Sequence, residues 1–200
     1  MDSIDYYERY AASYYENTVN LNMEEALGRF LALLPENAEV LDLGCGTGRD
    51  TVYLEDAGCY VTPMDGSEQM CRLAEIYTDK EVLHMTFEEM EFEEVFDGIW
   101  ACASLLHVEG KNMDRIMKKV VNALKPDGVL YMSFKYGDAE EIRNQRLFHD
   151  YTEETAYDMV MRQEGVRIVE MWQSDDVRGI ETKWLNLLVK KDPEKEESNE

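Results

Sequence analysis

The residues in this chain with the clearest chemical potential are three glycines at alternate positions, Gly44, Gly46 and Gly48. They follow an apolar run and precede helix-forming residues, a pattern typical of a buried strand, a tight turn and a helix start. Without side chains, such a turn lets its backbone approach a ligand closely. A dinucleotide-binding GxGxxG turn would need its third glycine where this chain has Arg49. Asp42, just before the turn, would repel a pyrophosphate and suits a cationic or amino-bearing ligand.

A second acid, Asp65, ends the next predicted strand, about 20 residues after the glycine turn. An acid at this place can accept hydrogen bonds from both hydroxyls of a ribose. Alternatively, Asp65 or Ser67 only caps the helix that follows. Ser67 can cap that helix by itself, which leaves Asp65 available to a ligand.

The string from Val40 to Asp50, taken with Asp65, resembles motif I of the class I S-adenosylmethionine-dependent methyltransferases. The string from Phe96 to Val108 resembles motif IV of that family, and the sequence after the fifth strand is similar to a bacterial small-molecule methyltransferase branch. The cofactor of that family carries a sulfonium and an ammonium group, in agreement with acids beside the turn. The resemblance implies S-adenosylmethionine as cofactor, S-adenosylhomocysteine as product, and in-line methyl transfer to a small molecule.

The same resemblance implies a set of cofactor-binding residues after the first four strands. They are Asp42, Gly44, Cys45, Gly46, Arg49, Asp65, Gly66, Met70, Thr86, Phe87, Ala101 and Ser104. Two of them have an open alternative. Arg49 begins a helix and either binds the methionine carboxylate or lies on the surface beside Asp50. Phe87 either borders the adenine ring or packs in the core.

Methyl transfer from a sulfonium depends mainly on alignment of the acceptor and exclusion of water. It needs a base only when the acceptor arrives protonated. His107, just past the fourth strand, has an unperturbed pKa of about 6.5, which suits a base at neutral pH. The alternative is a packed, hydrogen-bonded histidine. Tyr136, after the fifth strand, is the second catalytic candidate.

Cationic side chains gather in a polar loop predicted after the fifth strand, at the active-site side of an acidic protein. Lys135, Arg143 and Arg146 are therefore candidates for binding an acidic small-molecule substrate. Alternatively, these cations only neutralise neighbouring acids such as Asp138 and Glu140 through salt bridges.

The first 37 residues are predicted to form a helical cap ahead of the core. Tyr6, Tyr10 and Tyr14 lie in its first helix and are expected to fold over the site as a lid that contacts the substrate. A tyrosine stripe at this spacing is also compatible with ordinary packing.

Strands and helices alternate from residue 38 to residue 191, which predicts an α/β fold with a parallel sheet covered on both faces. The last two strands lack a helix between them and are expected to pair antiparallel. The resemblance implies a Rossmann-like, doubly wound sheet in the order 3-2-1-4-5-7-6 with strand 7 antiparallel. Ligands of such sheets bind beyond the carboxyl ends of the strands. The strands are predicted at 39–43, 59–64, 81–85, 95–102, 128–134, 166–173 and 183–190.

Length and composition favour a single domain over residues 1–191, which the resemblance implies is a methyltransferase domain, followed by a disordered acidic tail at 192–200. The net charge of −23 opposes nucleic acid and anionic membranes as partners. Four cysteines without a CxxC pair, and an N-terminus unlike a signal peptide, predict a cytoplasmic protein with free thiols. We expect no metal, and the sequence leaves monomer and homodimer open.

Other functions remain to be weighed against methyl transfer to a small molecule. A methyltransferase acting on tRNA or rRNA is disfavoured by the charge and by the lack of a basic stripe. A protein methyltransferase stays open. A regulator that binds S-adenosylmethionine without turnover is compatible with the lack of an obvious base.

Overall fold

The computed structural model describes residues 3–193 and contains seven strands in one mixed sheet. Two further strands, β6 and β7, form a separate hairpin. In chain order the strands are β1 (Glu39–Leu43), β2 (Tyr60–Asp65), β3 (Leu83–His84), β4 (Phe96–Ala101), β5 (Leu124–Lys135), β6 (Glu140–Arg143), β7 (Arg146–His149), β8 (Val166–Asp175) and β9 (Lys183–Lys191). The main sheet has the order β3-β2-β1-β4-β5-β9-β8, with β9 antiparallel to both of its neighbours. This confirms the predicted α/β class, strand order and antiparallel strand.

Helices cover both faces of the sheet, as expected for parallel strands joined by crossovers. They are α1 (Ser3–Thr18), α2 (Glu24–Leu31), α3 (Arg49–Asp56), α4 (Glu68–Thr78), α5 (Gly110–Ala123) and α6 (Glu153–Met161), with short 3₁₀ helices at Phe87–Glu89 and Leu105–His107. α5 buries the apolar stripe that includes Ile116, Met117 and Val120. None of the helices in residues 3–193 is both long enough and apolar enough to cross a membrane.

The β6–β7 hairpin occupies the segment for which the sequence predicted a polar loop. Its turn places Asn144 and Gln145 at φ values of +50° and +67°, as a two-residue type I′ turn requires. The Asn-Gly or Asp-Gly pair that usually signals this turn is absent, and three of the four residues of β6 are charged. The prediction of a loop is therefore wrong. The local sequence does not reveal the hairpin because contacts with elements distant in the sequence stabilise it.

The fifth strand also differs from its prediction at residues 128–134. β5 begins at Leu124, which pairs with Phe96 of β4, and pairing resumes only at Val129 opposite Gly98. The segment 125–128 interrupts this pairing as a bulge within the strand, with Asp127 at a φ of +64°.

The two N-terminal helices have different places in the fold. α2 buries Leu27 and Phe30 against the sheet, where the ring of Phe30 lies 5.3 Å from that of Trp100. α1 lies over the carboxyl ends of the strands and contacts α4 and β7. Residues 1–2 of the predicted cap and residues 194–200 of the predicted tail lie outside the described residues.

Gly98 on β4 allows α2 to approach the sheet. A Cβ atom at this position would lie 2.7 Å from Phe30 Cζ and 2.8 Å from Leu34 Cδ2. We expect Gly98→Ala to lower the free energy of unfolding by about 1–3 kcal/mol, because the added methyl overpacks this contact. Chemical denaturation measures the change.

Gly28→Ala, within α2, is the matched control because no atom lies within 4 Å of its added Cβ. This substitution should raise the free energy of unfolding by about 0.5–1 kcal/mol through helix propensity. Equal effects of the two variants would contradict the packing argument.

Candidate functional site

The glycine turn after β1 requires glycine for two separate reasons. Gly44, Gly46 and Gly48 all have positive φ, at +78°, +55° and +80°. In addition, a Cβ atom on Gly44 would lie 2.5 Å from Ser104 Cβ. The Gly44 and Cys45 N–H groups both donate to the Met64 carbonyl, at 2.8 and 2.9 Å. The turn is therefore pinned to the end of β2 and lies open on its other side.

Asp65 ties the glycine turn to α4. Its Oδ2 accepts a hydrogen bond from the Gly46 N–H and its Oδ1 accepts one from the Ser67 N–H, both at 2.9 Å. Ser67 caps α4 by itself, since its Oγ accepts from the Met70 N–H at 3.2 Å. Burial raises the pKa of Asp65 although both N–H groups act to lower it. The carboxylate keeps further lone pairs that face a cavity.

That cavity, which we call the first chamber, has a volume of about 540 Å³ and lies at the carboxyl ends of β1, β2 and β4. Seven residues predicted to bind the cofactor line it, namely Gly44, Gly46, Asp65, Gly66, Thr86, Phe87 and Ser104. Ser104 Oγ is buried and has no hydrogen-bond partner among the described residues. Thr86 forms a capping box with Glu89, which holds the 3₁₀ helix that carries Phe87. The chamber is thus polar at the strand ends and apolar beside Phe87.

Four predicted cofactor residues lie behind the turn and line neither this chamber nor the second one described below. Cys45, Met70 and Ala101 are buried in the core. Asp42 is 2% exposed, and its Oδ2 accepts a hydrogen bond from Thr51 Oγ1 at 2.6 Å. Burial, together with the neighbouring Asp50, raises the pKa of Asp42 to about 7. Asp42 therefore supports α3 from below the turn.

Arg49 is held by an intramolecular partner. Its Nε and Nη2 donate to the two carboxylate oxygens of Asp50, at 2.6 and 2.8 Å. Trp100 Nε1 also donates to Asp50, at 2.8 Å. Arg49 therefore does not lie on the surface, as the alternative had it, but forms a largely buried ion pair with Asp50 beside a second cavity.

The second chamber, of about 310 Å³, is enclosed by α1, β5, the β6–β7 hairpin and the segment between β8 and β9. It adjoins the first chamber, and five residues line both. These shared residues form a dividing wall, which consists of Tyr7, Tyr14, Cys102, Ala103 and His107. Ala103 has a φ of +52°, and its N–H donates to Ser133 Oγ at 2.9 Å. Molecules bound in the two chambers would therefore meet at this wall.

His107 is fixed in the wall as a neutral imidazole. Its Nδ1 lies 2.6 Å from the Leu147 carbonyl, which can only accept, so Nδ1 carries the proton. Its Nε2 therefore accepts from the Tyr7 hydroxyl at 2.8 Å. Burial, with a smaller contribution from the nearby Arg146, lowers the pKa of His107 to about 4. His107 is a weak base that stays uncharged at neutral pH.

The predicted substrate residues divide between the second chamber and its surroundings. Tyr14, Lys135 and Arg146 line the chamber. The other three line neither chamber. Arg143 instead pairs with Asp150 at 2.5 Å, which matches the salt-bridge alternative for this side chain. The remaining two are Tyr6, which packs against Arg146, and Tyr10, which is 41% exposed at a kink in α1.

Tyr136, the second catalytic candidate, lies outside both chambers and is 39% exposed. Side chains alternate along a strand, so Ser133 and Lys135 of β5 face the second chamber while Tyr136 faces away. A hydrogen bond with Glu153 raises the pKa of Tyr136.

Sequence reasoning missed Tyr7 as a site residue, although it noted the tyrosine stripe in α1. Tyr7 and Tyr14 are seven residues apart and share the inward face with Ser3, whereas the kink turns Tyr10 outward. Leu147, Arg178 and Trp184 were also missed because they reach the site from distant strands and loops. Among the residues that the structure describes, no cluster of three or more metal-ligating side chains occurs.

Comparison with known proteins gives one family match, to a "Methyltransferase domain" over residues 41–132. A putative methyltransferase, YqeM, from Bacillus subtilis strain 168 is 30% identical over 162 residues. That alignment covers 76% of this chain and 64% of the Bacillus protein, so the chain spans slightly less than two thirds of that relative.

Solved structures share the fold at lower identity. The Burkholderia thailandensis 1,6-didemethyltoxoflavin-N1-methyltransferase, with 1,6-didemethyltoxoflavin and S-adenosylhomocysteine bound, has a TM-score of 0.77 and 22% identity. The match covers 94% of this chain and 85% of that one. The cyclase SpnF has a TM-score of 0.76 at 14% identity, with 96% and 97% of the two chains covered. Such likeness shows the fold, and the activity has to be argued from the site.

The raised pKa of Asp42 gives a test of its buried position. In the unfolded chain this group has an ordinary pKa of about 3.9, whereas in the folded protein the value is about 7. Folding therefore favours the protonated form, and the cost of ionising Asp42 grows as the pH rises from 4 to 7. Asp42→Asn removes that cost and can still accept the Thr51 hydrogen bond.

The variant Asp42→Asn should therefore become more stable relative to the unchanged protein as the pH rises. We expect the difference in unfolding free energy to grow by about 2–4 kcal/mol between pH 4 and pH 8, at about 1.4 kcal/mol per pKa unit. Denaturant titrations at several pH values measure this difference. A difference that stays constant over the range would place the Asp42 carboxyl in a solvated environment.

Proposed function

The chain belongs to the class I S-adenosylmethionine-dependent methyltransferase family, and from that premise we propose that it transfers a methyl group from S-adenosylmethionine to a small-molecule acceptor. The observation that carries the proposal is the pair of adjoining chambers. One contains the glycine turn and Asp65, the other contains polar and aromatic side chains, and they share the wall at Tyr7, Tyr14 and His107.

The first chamber offers groups that fit this cofactor. The turn has no side chain at Gly44 or Gly46, so its backbone is accessible from the chamber. Asp65 presents carboxylate lone pairs for ribose hydroxyls. Ser104 Oγ is a buried hydroxyl that lacks a partner among the described residues and is available to a bound molecule. When bound, S-adenosylmethionine supplies an electrophilic methyl group.

The wall residues would contribute alignment and exclusion of water. Tyr7 and Tyr14 are half-buried, and their rings are 5.0 Å apart in an edge-to-face contact. Tyr7 donates to the weak base His107, and burial raises the pKa of Tyr7 well above its usual range. Neither group is a strong base at neutral pH. We therefore propose that the acceptor enters in its nucleophilic form and that proximity supplies most of the rate enhancement.

The second chamber supports a small molecule as the acceptor. Its volume of about 310 Å³ is at the lower end for small-molecule sites. The net charge of −23 opposes RNA as substrate. The bound 1,6-didemethyltoxoflavin in the Burkholderia structure shows that a relative of this fold accepts such a ligand. All four cysteines are free, which supports the proposed reducing, cytoplasmic location.

Calorimetric titration with S-adenosylmethionine tests the first half of the proposal. We expect Asp65→Ala to lower the affinity by about 10–100-fold, or about 1–3 kcal/mol, since ribose hydroxyls and the Gly46 N–H both lose an acceptor. Asp56→Ala, an exposed acid at the end of α3, is the matched control and should leave the affinity unchanged.

Turnover is measured as release of S-adenosylhomocysteine with a panel of small metabolites, and Asp65→Asn repeats the measurement with the side-chain shape retained. Unaltered affinity in both Asp65 variants would remove this residue from the cofactor site. Tight binding of S-adenosylmethionine without turnover on any compound would favour the non-catalytic regulator.

The position of His107 predicts how activity responds to pH. With a pKa of about 4, His107 does not change protonation between pH 6 and pH 8. We expect His107→Gln to retain kcat within about tenfold and to leave the pH profile unaltered in this range, because general-base catalysis is worth about 10²–10⁴-fold. A larger loss of kcat, with a lost inflection in the profile, would identify His107 as the base.

A further inference from the structure

The second chamber holds more positive charge than its own acids neutralise. Four cations line it, and two of them have bidentate carboxylate partners. Arg49 pairs with Asp50, and Arg178 pairs with Asp176 at 2.8 and 2.6 Å. The other acid in its lining, Asp175, forms an ion pair with Lys183.

The remaining two cations, Lys135 and Arg146, have no carboxylate within 4.0 Å among residues 3–193. They are held by aromatic faces. Lys135 Nζ lies 4.0 Å from the centroid of the Phe148 ring, and Arg146 Cζ lies 4.3 Å from that of Tyr6. Arg146 Nη1 also donates to the Tyr7 hydroxyl at 3.2 Å, which places this guanidinium beside the dividing wall.

Leaving these two charges without acids has an energetic cost. Burial lowers the pKa of Lys135, and the neighbouring Arg143 lowers it further. Arg146 Nε is buried without an acceptor in the described structure. The chain has 43 acidic residues against 20 lysines and arginines, so carboxylates are not scarce. A buried charge is tolerated when a partner arrives to pair with it.

Besides its charged and polar groups, the second chamber has an apolar and aromatic part. Leu21, Met23, Leu106, Ile180 and Trp184 line it from four different parts of the chain. Such a lining favours a ligand with an apolar or aromatic body and one strongly polar end.

We infer that the second chamber binds a small organic anion, whose carboxylate or phosphate group pairs with Lys135 and Arg146 while its apolar body contacts Trp184 and Leu106. This inference rests on the proposed function, because it names the substrate class of that methyltransferase. Arg146 contributes a planar fork that matches either anion, and Lys135 contributes a point charge.

The test uses the full chain saturated with S-adenosylhomocysteine, titrated by calorimetry with four probes of one ring size. Benzoate and phenyl phosphate are the anions, benzyl alcohol is the neutral probe and benzylamine is the cation. We expect the better anion to bind at least about tenfold more tightly than benzyl alcohol, a difference of about 1.4 kcal/mol. The ratio of phenyl phosphate to benzoate affinity identifies which anionic group the site prefers.

Variants connect the preference to the two cations. Lys135→Met should lower anion affinity about 5–10-fold and leave benzyl alcohol within twofold. Arg146→Lys keeps the charge but loses the fork, so it should weaken the anions less than Arg146→Gln does. Arg162→Gln, which removes an exposed charge paired with Asp114, is the control and should change neither the affinity for the anions nor that for benzyl alcohol.

Two kinds of failure are distinguishable. If S-adenosylhomocysteine itself does not bind, the proposed function is wrong. If it binds but the anions show no preference over the alcohol, show no binding at millimolar concentration, or keep their affinity in Lys135→Met, the anion inference alone is overturned.

Discussion

One half-buried carboxylate holds the functional end of this fold together. Asp65 accepts the Gly46 and Ser67 N–H groups, while the Met64 carbonyl accepts those of Gly44 and Cys45. These four bonds join the turn after β1 to the end of β2 and the start of α4. Because the turn has positive φ at all three of its glycines, it needs such bonds to stay in one conformation. The first chamber lies directly against this junction.

The dividing wall depends on a second set of contacts, made by elements far apart in the sequence. Tyr7 of α1 bonds to His107, and His107 bonds to the Leu147 carbonyl of β7. The Leu147 N–H in turn donates to Ser3 Oγ at 3.1 Å, which closes the contact between hairpin and helix. Polar bonds thus connect the helix that covers the site to the hairpin, and the same bonds hold the wall histidine in its neutral form.

The parts of the molecule that could be predicted are those with a strong local pattern. Short stretches of sequence predict the glycine turn, the place of Asp65 and the alternation of strands and helices. The family resemblance then implied the strand order. The hairpin turn at Asn144 and Gln145 lacks the usual glycine, and it forms because β7 packs on α1 and His107. Asp42 was predicted from its charge and its place before the turn, and Tyr136 from its place after the fifth strand, and neither observation reveals the direction of a side chain. Tyr7 was missed because the kink at Tyr10 changes which tyrosines point inward.

The β6–β7 hairpin forms its own two-stranded sheet and shares no ladder with the seven-stranded one. It nevertheless provides Arg146 and Phe148 to the second chamber. Replacement of this hairpin during evolution would therefore leave every bond of the main sheet, and the Asp65 junction, in place. The sequence of residues 140–149 can therefore vary without disturbing the ladders of the main sheet. Ile142 and Leu147 are the exceptions, because both line the first chamber and the Leu147 carbonyl also bonds to His107.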